Sequence, residues 1–446
     1  MAPPPGGRRD AAHPAAPARR AHAPLALARP FAMQSQTASP EPEARFAHWQ
    51  RNRHALFAAT LCSTLGFSCA WPFLPLVVRD LGIAAHLETW VGYLLGGFFA
   101  VSFFLTPVWG ALADHFGRKG MVLRAGFGMG LGFAVLPFLG DVRAFLAVFL
   151  LVGATNGFVP AALALVAGNT PPAGMGRALA SVQMGALLGT TGGPVLGAGL
   201  ALILPSYRDL FWASALLMLL AGTLTLALVR EAAPPAGGPF RPHVLRDLLI
   251  CLRLPAVPAL YGINLVFSMT MFGSTTVVSV YALYLLQGAP AFLGLGIGPW
   301  VGLATMALTV TSALAVPFWG RALDRVSPGS VLALALLASV PAALLFPFVQ
   351  NPLQLTVARA VLGALAVGIQ PAALLLMRNA APAGMDARVL AYATSLNMLG
   401  NGAAPFLAGL LGPWLGLRAY FAGIAALLLA CGAYWSFGGL RAARAR

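Results

Sequence analysis

From His54 onward, long apolar runs alternate with short polar segments. The runs fall at roughly 55–78, 90–112, 121–140, 144–167, 178–203, 210–229, 257–285, 299–320, 330–349, 354–376, 389–411 and 417–438. As helices rising 1.5 Å per residue, they are long enough to cross a hydrocarbon core of about 30 Å. In lipid only a segment that satisfies its own backbone can do so, which favours helices. The pattern predicts an all-α integral membrane protein with twelve transmembrane helices, and an even number puts both termini on one side. Residues 1–50 show no such period. They are rich in Pro, Ala and Arg and are expected to form a disordered tail. They hold no uninterrupted apolar stretch ahead of a small-residue cleavage site, so they do not read as a signal peptide. Met33 offers an alternative start.

Composition agrees with this pattern and charge orients it. The chain is 59% hydrophobic and 9% charged, outside the range of soluble globular domains. A net charge of +16 raises the question of nucleic acid. The basic residues are separated by membrane-length apolar runs instead of sharing a patch, so no nucleic-acid partner is expected. With both ends cytoplasmic, 23 Lys and Arg fall inside and four (Arg79, Arg143, Arg208, Arg418) fall outside. That bias sets the orientation: amino and carboxyl termini in the cytoplasm, in a multi-pass protein, with the plasma membrane as its expected location. Cys62, Cys69, Cys251 and Cys431 form no metal-binding pair, and no metal site is expected.

The chain repeats itself. PVWGALAD (107–114) returns as PFWGRALD (317–324), and NTPPAGMGRALA (169–180) as NAAPAGMDARVLA (379–391), both at an offset of 210. Two six-helix halves are therefore expected, at 54–230 and 257–440, joined by a cytoplasmic linker at 231–256. A site between such halves lies near the bilayer midplane.

Four motifs carry chemistry. The loop after span 2 reads WGALADHFGRKG: Gly110 permits close approach, Asp114 lies one turn on, Gly117 permits a tight turn, and Arg118, Lys119 and the nearby Arg124 supply charge. Span 5 repeats glycine every four residues at Gly185, Gly189, Gly193 and Gly197, with Pro194 inside; this puts one smooth face on the helix and a bend at the proline. Arg359 is the one charge well inside a span, with Gly363 and Gln370 on its face. Finally, a 3.6-residue period gathers candidate cavity residues: Phe67 and Trp71 with Thr60 and Thr64 on span 1, Asn264 and Met271 on span 7, Asn156, Gln183, Gln370, Asn397 and Asn401 elsewhere. Aromatics, methionine and amides suit bulky apolar or weakly cationic compounds.

These motifs make the chain similar to the major facilitator superfamily. Residues 109–120 resemble its motif A, GTTGGPVLGA (189–198) its motif C, and Arg359 with Gly363 its motif B. With HWQRN (48–52) and PFLPL (72–76), the resemblance points to the drug:H+ antiporter-1 branch and to bacterial multidrug efflux transporters. It implies that Gly110 packs on span 11 and that Asp114 latches the cytoplasmic side. It also implies export of small amphiphilic compounds by alternating access, coupled to a proton gradient, with no cofactor, by a monomer in the lipid bilayer. Two departures stand out. Phe149 occupies the place in span 4 where the family has the motif B arginine. All twelve Asp and Glu lie outside the spans or at their ends, so no carboxylate is available mid-membrane for a proton. No catalytic constellation is present, and the chain is not expected to be an enzyme. Two other readings remain open here: transport of a specific metabolite such as a sugar, and a membrane sensor that moves nothing.

Overall fold

The computed structural model describes residues 46–83, 85–231, 244–286, 291–382 and 385–439. Residues 1–45 of the expected tail, 232–243 of the expected linker and residues from 440 onward lie outside this set. Among the described residues the fold is all helix, and the only β-type pairing is a single bridge between Phe292 and Leu295. The helices are α1 (Trp49–Ala70), α2 (Leu74–Asp80), α3 (Leu87–Phe116), α4 (Arg118–Val135), α5 (Val142–Thr155), α6 (Phe158–Gly168), α7 (Met175–Leu200) and α8 (Leu210–Leu228). After them come α9 (Val244–Arg253), α10 (Val257–Ser268), α11 (Ser274–Leu286), α12 (Ile297–Arg325), α13 (Pro328–Leu344), α14 (Pro352–Ala366), α15 (Ile369–Ala380) and α16 (Asp386–Tyr434). The first helix thus begins at Trp49, inside the stretch expected to be tail.

Local signals explain several boundaries. The Asp141 carboxylate accepts from the backbone N–H groups of Arg143 and Ala144 and caps α5. Ser327 and Asn351 cap α13 and α14, each followed by a proline at the first helical position. Gly117 at φ 92° makes the sharp turn from α3 into α4. Gly157 at φ 122° separates α5 from α6. A turn at Val367 and Gly368 breaks α14 from α15 at the equivalent point of the repeat.

Ten helical stretches are long and apolar enough to cross a membrane. One of them, 388–437, has 50 residues and would run about 75 Å if straight; Gly416, at φ 78° and ψ 156°, interrupts it. The glycine-rich α7 has 26 residues but falls outside the ten. The surface is apolar. Phe104, Phe138, Phe348 and Trp414 are each more than 70% exposed, as suits side chains solvated by lipid.

The repeat is visible in the hydrogen bonds. Trp109 donates its indole N–H to the carbonyl of Ala154 at 2.8 Å, and Trp319 donates to Ala364 at 2.9 Å. Ser102 donates to Gly153 O at 2.8 Å, and Ser312 to Gly363 O at 3.0 Å. A Cβ at Gly153 would meet Phe98 O, and one at Gly363 would meet Leu308 O. Every pair is offset by 210 residues. Two copies of one packing scheme are therefore built from the two copies of the sequence.

Among the described residues these copies meet from one end to the middle, as far as Thr106 of the first, whose hydroxyl lies 3.6 Å from Met398 Sδ of the second. Away from the basic loop of Arg118 and Lys119, α3 lies close to α16: a Cβ at Gly92 would be 2.8 Å from Pro405 O, and Thr89 donates to Gly409 O at 2.9 Å. At the same end a Cβ at Gly298 of α12 would be 3.5 Å from the Cβ of Ala201, just beyond α7, and the Ser279 hydroxyl of α11 donates to Pro72 O. Toward the basic end the elements part. Nothing lies within 4 Å of a Cβ at Gly110 or at Gly320.

Candidate functional site

A cavity of about 370 Å³ lies between the two copies. Phe67, Ser68 and Trp71 enter it from α1 and the turn after it; Thr190, Thr191 and Pro194 enter from α7. The second copy supplies Phe267, Met271 and Thr275, the α12 residues Thr305, Thr309 and Ser312, and the amides Gln370, Asn397 and Asn401. Its wall is mostly apolar, with hydroxyls and amides interspersed and no carboxylate in the lining. Phe67 stacks on Trp71 at 4.6 Å between centroids. Trp71 in turn packs on Phe98, Phe99 and Phe149 at 5.2, 5.4 and 5.9 Å. Phe149, 210 residues before Arg359, is therefore an aromatic brace for Trp71.

The glycine stripe of α7 lies on α1. A Cβ at Gly185 would be 2.7 Å from Phe57 O, and one at Gly193 would be 2.9 Å from Leu65 O. The missing side chains let α1 hydroxyls reach α7 carbonyls: Ser68 donates to Gly189 O at 3.0 Å while also facing Thr64 O at 2.6 Å. Thr64 reaches Gly185 O at 3.5 Å. The second copy repeats the scheme with amides, since Asn264 donates to Ala393 O at 2.9 Å and Ser268 to Asn397 Oδ1 at 2.7 Å. Pro194 has no N–H, so the carbonyl of Thr190 lacks its helical partner, at a residue that lines the cavity.

Arg359 is fully buried behind the cavity wall. Its guanidinium donates to Ser274 Oγ at 2.9 Å, Thr275 Oγ1 at 3.0 Å and Ala304 O at 3.3 Å. All three acceptors are neutral. Ser274 and Thr275 begin α11 just after a π-turn at Met269–Gly273, which interrupts the helix beside the cavity.

A second cavity, of about 330 Å³, lies in the first copy beside the motif A loop. Arg124 crosses it, 3.8 Å from the centroid of the Trp109 ring, and donates to Asn156 O at 3.2 Å and Ala154 O at 3.4 Å. Arg118 donates from its side chain to Ala164 O at 2.7 Å. The side chain of Asp114 lies outside the described set. Gly110 lines this cavity, and its expected close packing on span 11 is not seen among the described residues, since nothing lies within 4 Å of its Cβ position.

Sequence reading missed Glu231. Its carboxylate accepts from the backbone N–H groups of Arg118 at 2.8 Å and Lys119 at 2.9 Å, two of the unsatisfied donors at the start of α4. Lys119 donates its ammonium to Leu226 O at 3.0 Å and Val229 O at 2.7 Å, the carbonyl end of α8. Asn52 exchanges two hydrogen bonds with the backbone of Arg230, at 2.7 and 3.0 Å. One short stretch, 226–231, thus fastens α1, α4 and α8 together. Charge-assisted bonds of this kind contribute about 1.5–3 kcal/mol each. Glu231→Ala is expected to lower the melting temperature of the purified protein by several degrees. An unchanged Tm would show that the clasp contributes nothing.

Of the other expected cavity residues, five sit elsewhere. Asn264 is buried between α10 and α16, where its face of α10 meets a neighbour instead of the cavity. Gln183 is exposed on α7, outside the lining of both cavities. Asn156 lines the second cavity, with Arg124. Thr60 and Thr64 are buried, Thr64 at the α1–α7 contact. Phe67, Trp71, Met271, Gln370, Asn397 and Asn401 do meet in one place.

Comparison with known proteins gives a consistent result. The family model described as Major Facilitator Superfamily matches residues 56–303 and 298–445. Multidrug resistance protein MdtG of Escherichia coli (strain K12 / DH10B) is 30% identical over 404 residues, covering 89% of this chain and 96% of that protein. Among solved structures, the peptide transporter POT in complex with sulfate superposes with a TM-score of 0.71 at 18% identity, over 88% of this chain and 95% of that one. The human organic anion transporter MFSD10 (TETRAN) does so at 0.59 and 22%, over 87% and 99%. A bacterial homologue of the human lysosomal transporter Spinster, inward-facing and occupied, gives 0.68 and 15%, over 88% and 96%.

Proposed function

The chain belongs to the Major Facilitator Superfamily and is a multi-pass membrane transporter; from that premise we propose that it exports small amphiphilic compounds by alternating access, driven by proton antiport. The observation that carries this reading is the position of the 370 Å³ cavity. It is built from both copies of the repeat, where a rocking motion changes its access from one side of the membrane to the other. The 30% identity to a multidrug resistance protein supports a broad, apolar substrate class, as does the aromatic and methionine lining.

The proposal includes twelve crossings, in two halves at 54–230 and 257–440 with the linker between them. Gly416 divides the 50-residue stretch into two, and α7, about 39 Å long, supplies the twelfth. The 23-to-4 charge bias supports cytoplasmic termini, and the likeness to a protein of Escherichia coli supports a bacterial inner membrane. With that orientation the copies touch at the outer end and part at the cytoplasmic end, which is an inward-facing arrangement. Gly110, Asp114, Gly117, Arg118, Lys119 and Arg124 would form the inner gate, Gly189, Gly193, Pro194 and Gly197 the α1–α7 seam. The protein would act as a monomer, without cofactor or nucleic acid.

The test is transport by the full chain in liposomes with a pH dye inside and a panel of amphiphilic antibiotics outside. Substrate-triggered proton movement is expected. Flux without proton movement would sink antiport and leave export standing. Absence of both, with uptake of a sugar or other metabolite, would replace the reading.

A further inference from the structure

Arg359 gives the central cavity a sign. An arginine keeps its charge at any physiological pH. This one is 0% exposed, and its donors end on two hydroxyls and one carbonyl, so its hydrogen bonds are met while its charge is not. One of those acceptors, Thr275, lines the cavity; Ala304, whose carbonyl is another, adjoins the lining residue Thr305. The guanidinium therefore stands directly behind one wall. No counter-charge is at hand in the lining, and every Asp and Glu of the chain lies outside the apolar runs or at their ends. Salt cannot screen a charge at this depth as it does at a surface, and the low dielectric carries its field into the cavity.

Asn401 and Thr190 also line the cavity. An amide and a hydroxyl can meet the polar groups of a neutral ligand, but they do not offset a full positive charge, and a lipophilic cation brings a second one.

We propose that the cavity accepts neutral and anionic amphiphiles and rejects permanent cations, with Arg359 setting that preference. This proposal runs against the expectation, drawn from aromatic and methionine content, that weakly cationic compounds are accepted. It rests on the cavity being the transport site.

Tetraphenylborate and tetraphenylphosphonium test it, being nearly identical in shape and opposite in charge. Equilibrium dialysis of the detergent-purified full chain, corrected for uptake by protein-free micelles, gives both affinities. The borate is expected to bind at least about tenfold more tightly. Arg359→Lys is expected to keep that order, and Arg359→Gln to bring the ratio to about threefold or less. Equal or tighter binding of the phosphonium by the wild type overturns the charge preference while leaving the transport site intact. An undiminished ratio in a folded Arg359→Gln protein overturns the assignment to Arg359. Binding of neither ion, with neutral tetraphenylsilane also unbound, overturns the transport-site reading itself, and the preference with it.

Discussion

Gly193→Leu is expected to abolish transport and to lower the stability of the protein. The position tolerates no side chain. A Cβ there would overlap the hydroxyl of Ser68 and stand 2.9 Å from Leu65 O. Leu65 O belongs to a helix backbone and cannot turn aside. Ser68 is itself held by Thr64 O and Gly189 O. The added atoms must push α1 and α7 apart, and overpacking of this kind costs about 1–3 kcal/mol or more. The displacement also reaches function, because Ser68 and Pro194 line the central cavity from the two helices concerned. Transport at equal expression should fall at least about tenfold, since a site displaced by roughly an ångström loses that much or more. Gly199→Leu is the control: it lies in the same helix, and nothing is within 4 Å of its Cβ position. Normal transport by Gly193→Leu would mean that the seam can open without consequence.

The seam was legible in the sequence for a physical reason. Four glycines at a spacing of four fall on one helix face whatever surrounds them, and a face without side chains in lipid is useful chiefly for close approach. The repeat was legible on the same terms. Trp109 and Trp319 were aligned by their neighbours alone, and they make the same hydrogen bond to Ala154 and Ala364. Glu231 was invisible because its partners Arg118 and Lys119 lie more than a hundred residues away. A single carboxylate at the start of a polar linker has no period to betray it. Helix α9, inside the expected linker, was passed over because ten residues are too few to cross a membrane.

The cavity was legible in part. Periodicity states which residues share a face but not which neighbour that face meets. Asn264 and Met271, two turns apart, were expected to point the same way. The face of Asn264 does reach the cavity one turn on, at Phe267, Ser268 and Met271, but at the level of Asn264 it meets α16, where its amide donates to Ala393 O. The hydroxyls of α12 (Thr305, Thr309 and Ser312) were missed, although a stripe of Thr and Ser through a membrane helix is a readable signal. Arg359 was singled out correctly as a buried charge, but its acceptors were not foreseen, since Ser274 and Thr275 look like ordinary small residues of span 7.

A disulfide between Ala201→Cys and Gly298→Cys is expected to stop transport. A Cβ at Gly298 would lie 3.5 Å from that of Ala201, within the range of roughly 3.5–4.5 Å that a disulfide spans. The bond would join the end of α7 to the start of α12, one segment from each copy, where the two copies touch. Alternating access requires this contact to open. A covalent bond across it holds the protein in the arrangement that is open only at the basic end. Cys62, Cys69, Cys251 and Cys431 are first replaced by alanine, so that the new pair is the only one that can oxidise. Oxidised protein should lose at least about tenfold in transport, because the step it blocks is obligatory. Reductant should restore it in the same sample. Binding to the central cavity should survive oxidation, since its lining keeps its arrangement and stays reachable from the basic end. Loss of transport together with loss of binding would indicate distortion of the site instead of a locked gate. Undiminished transport by a fully cross-linked protein would mean that the two copies do not separate at this end, and alternating access about the central cavity would have to be abandoned.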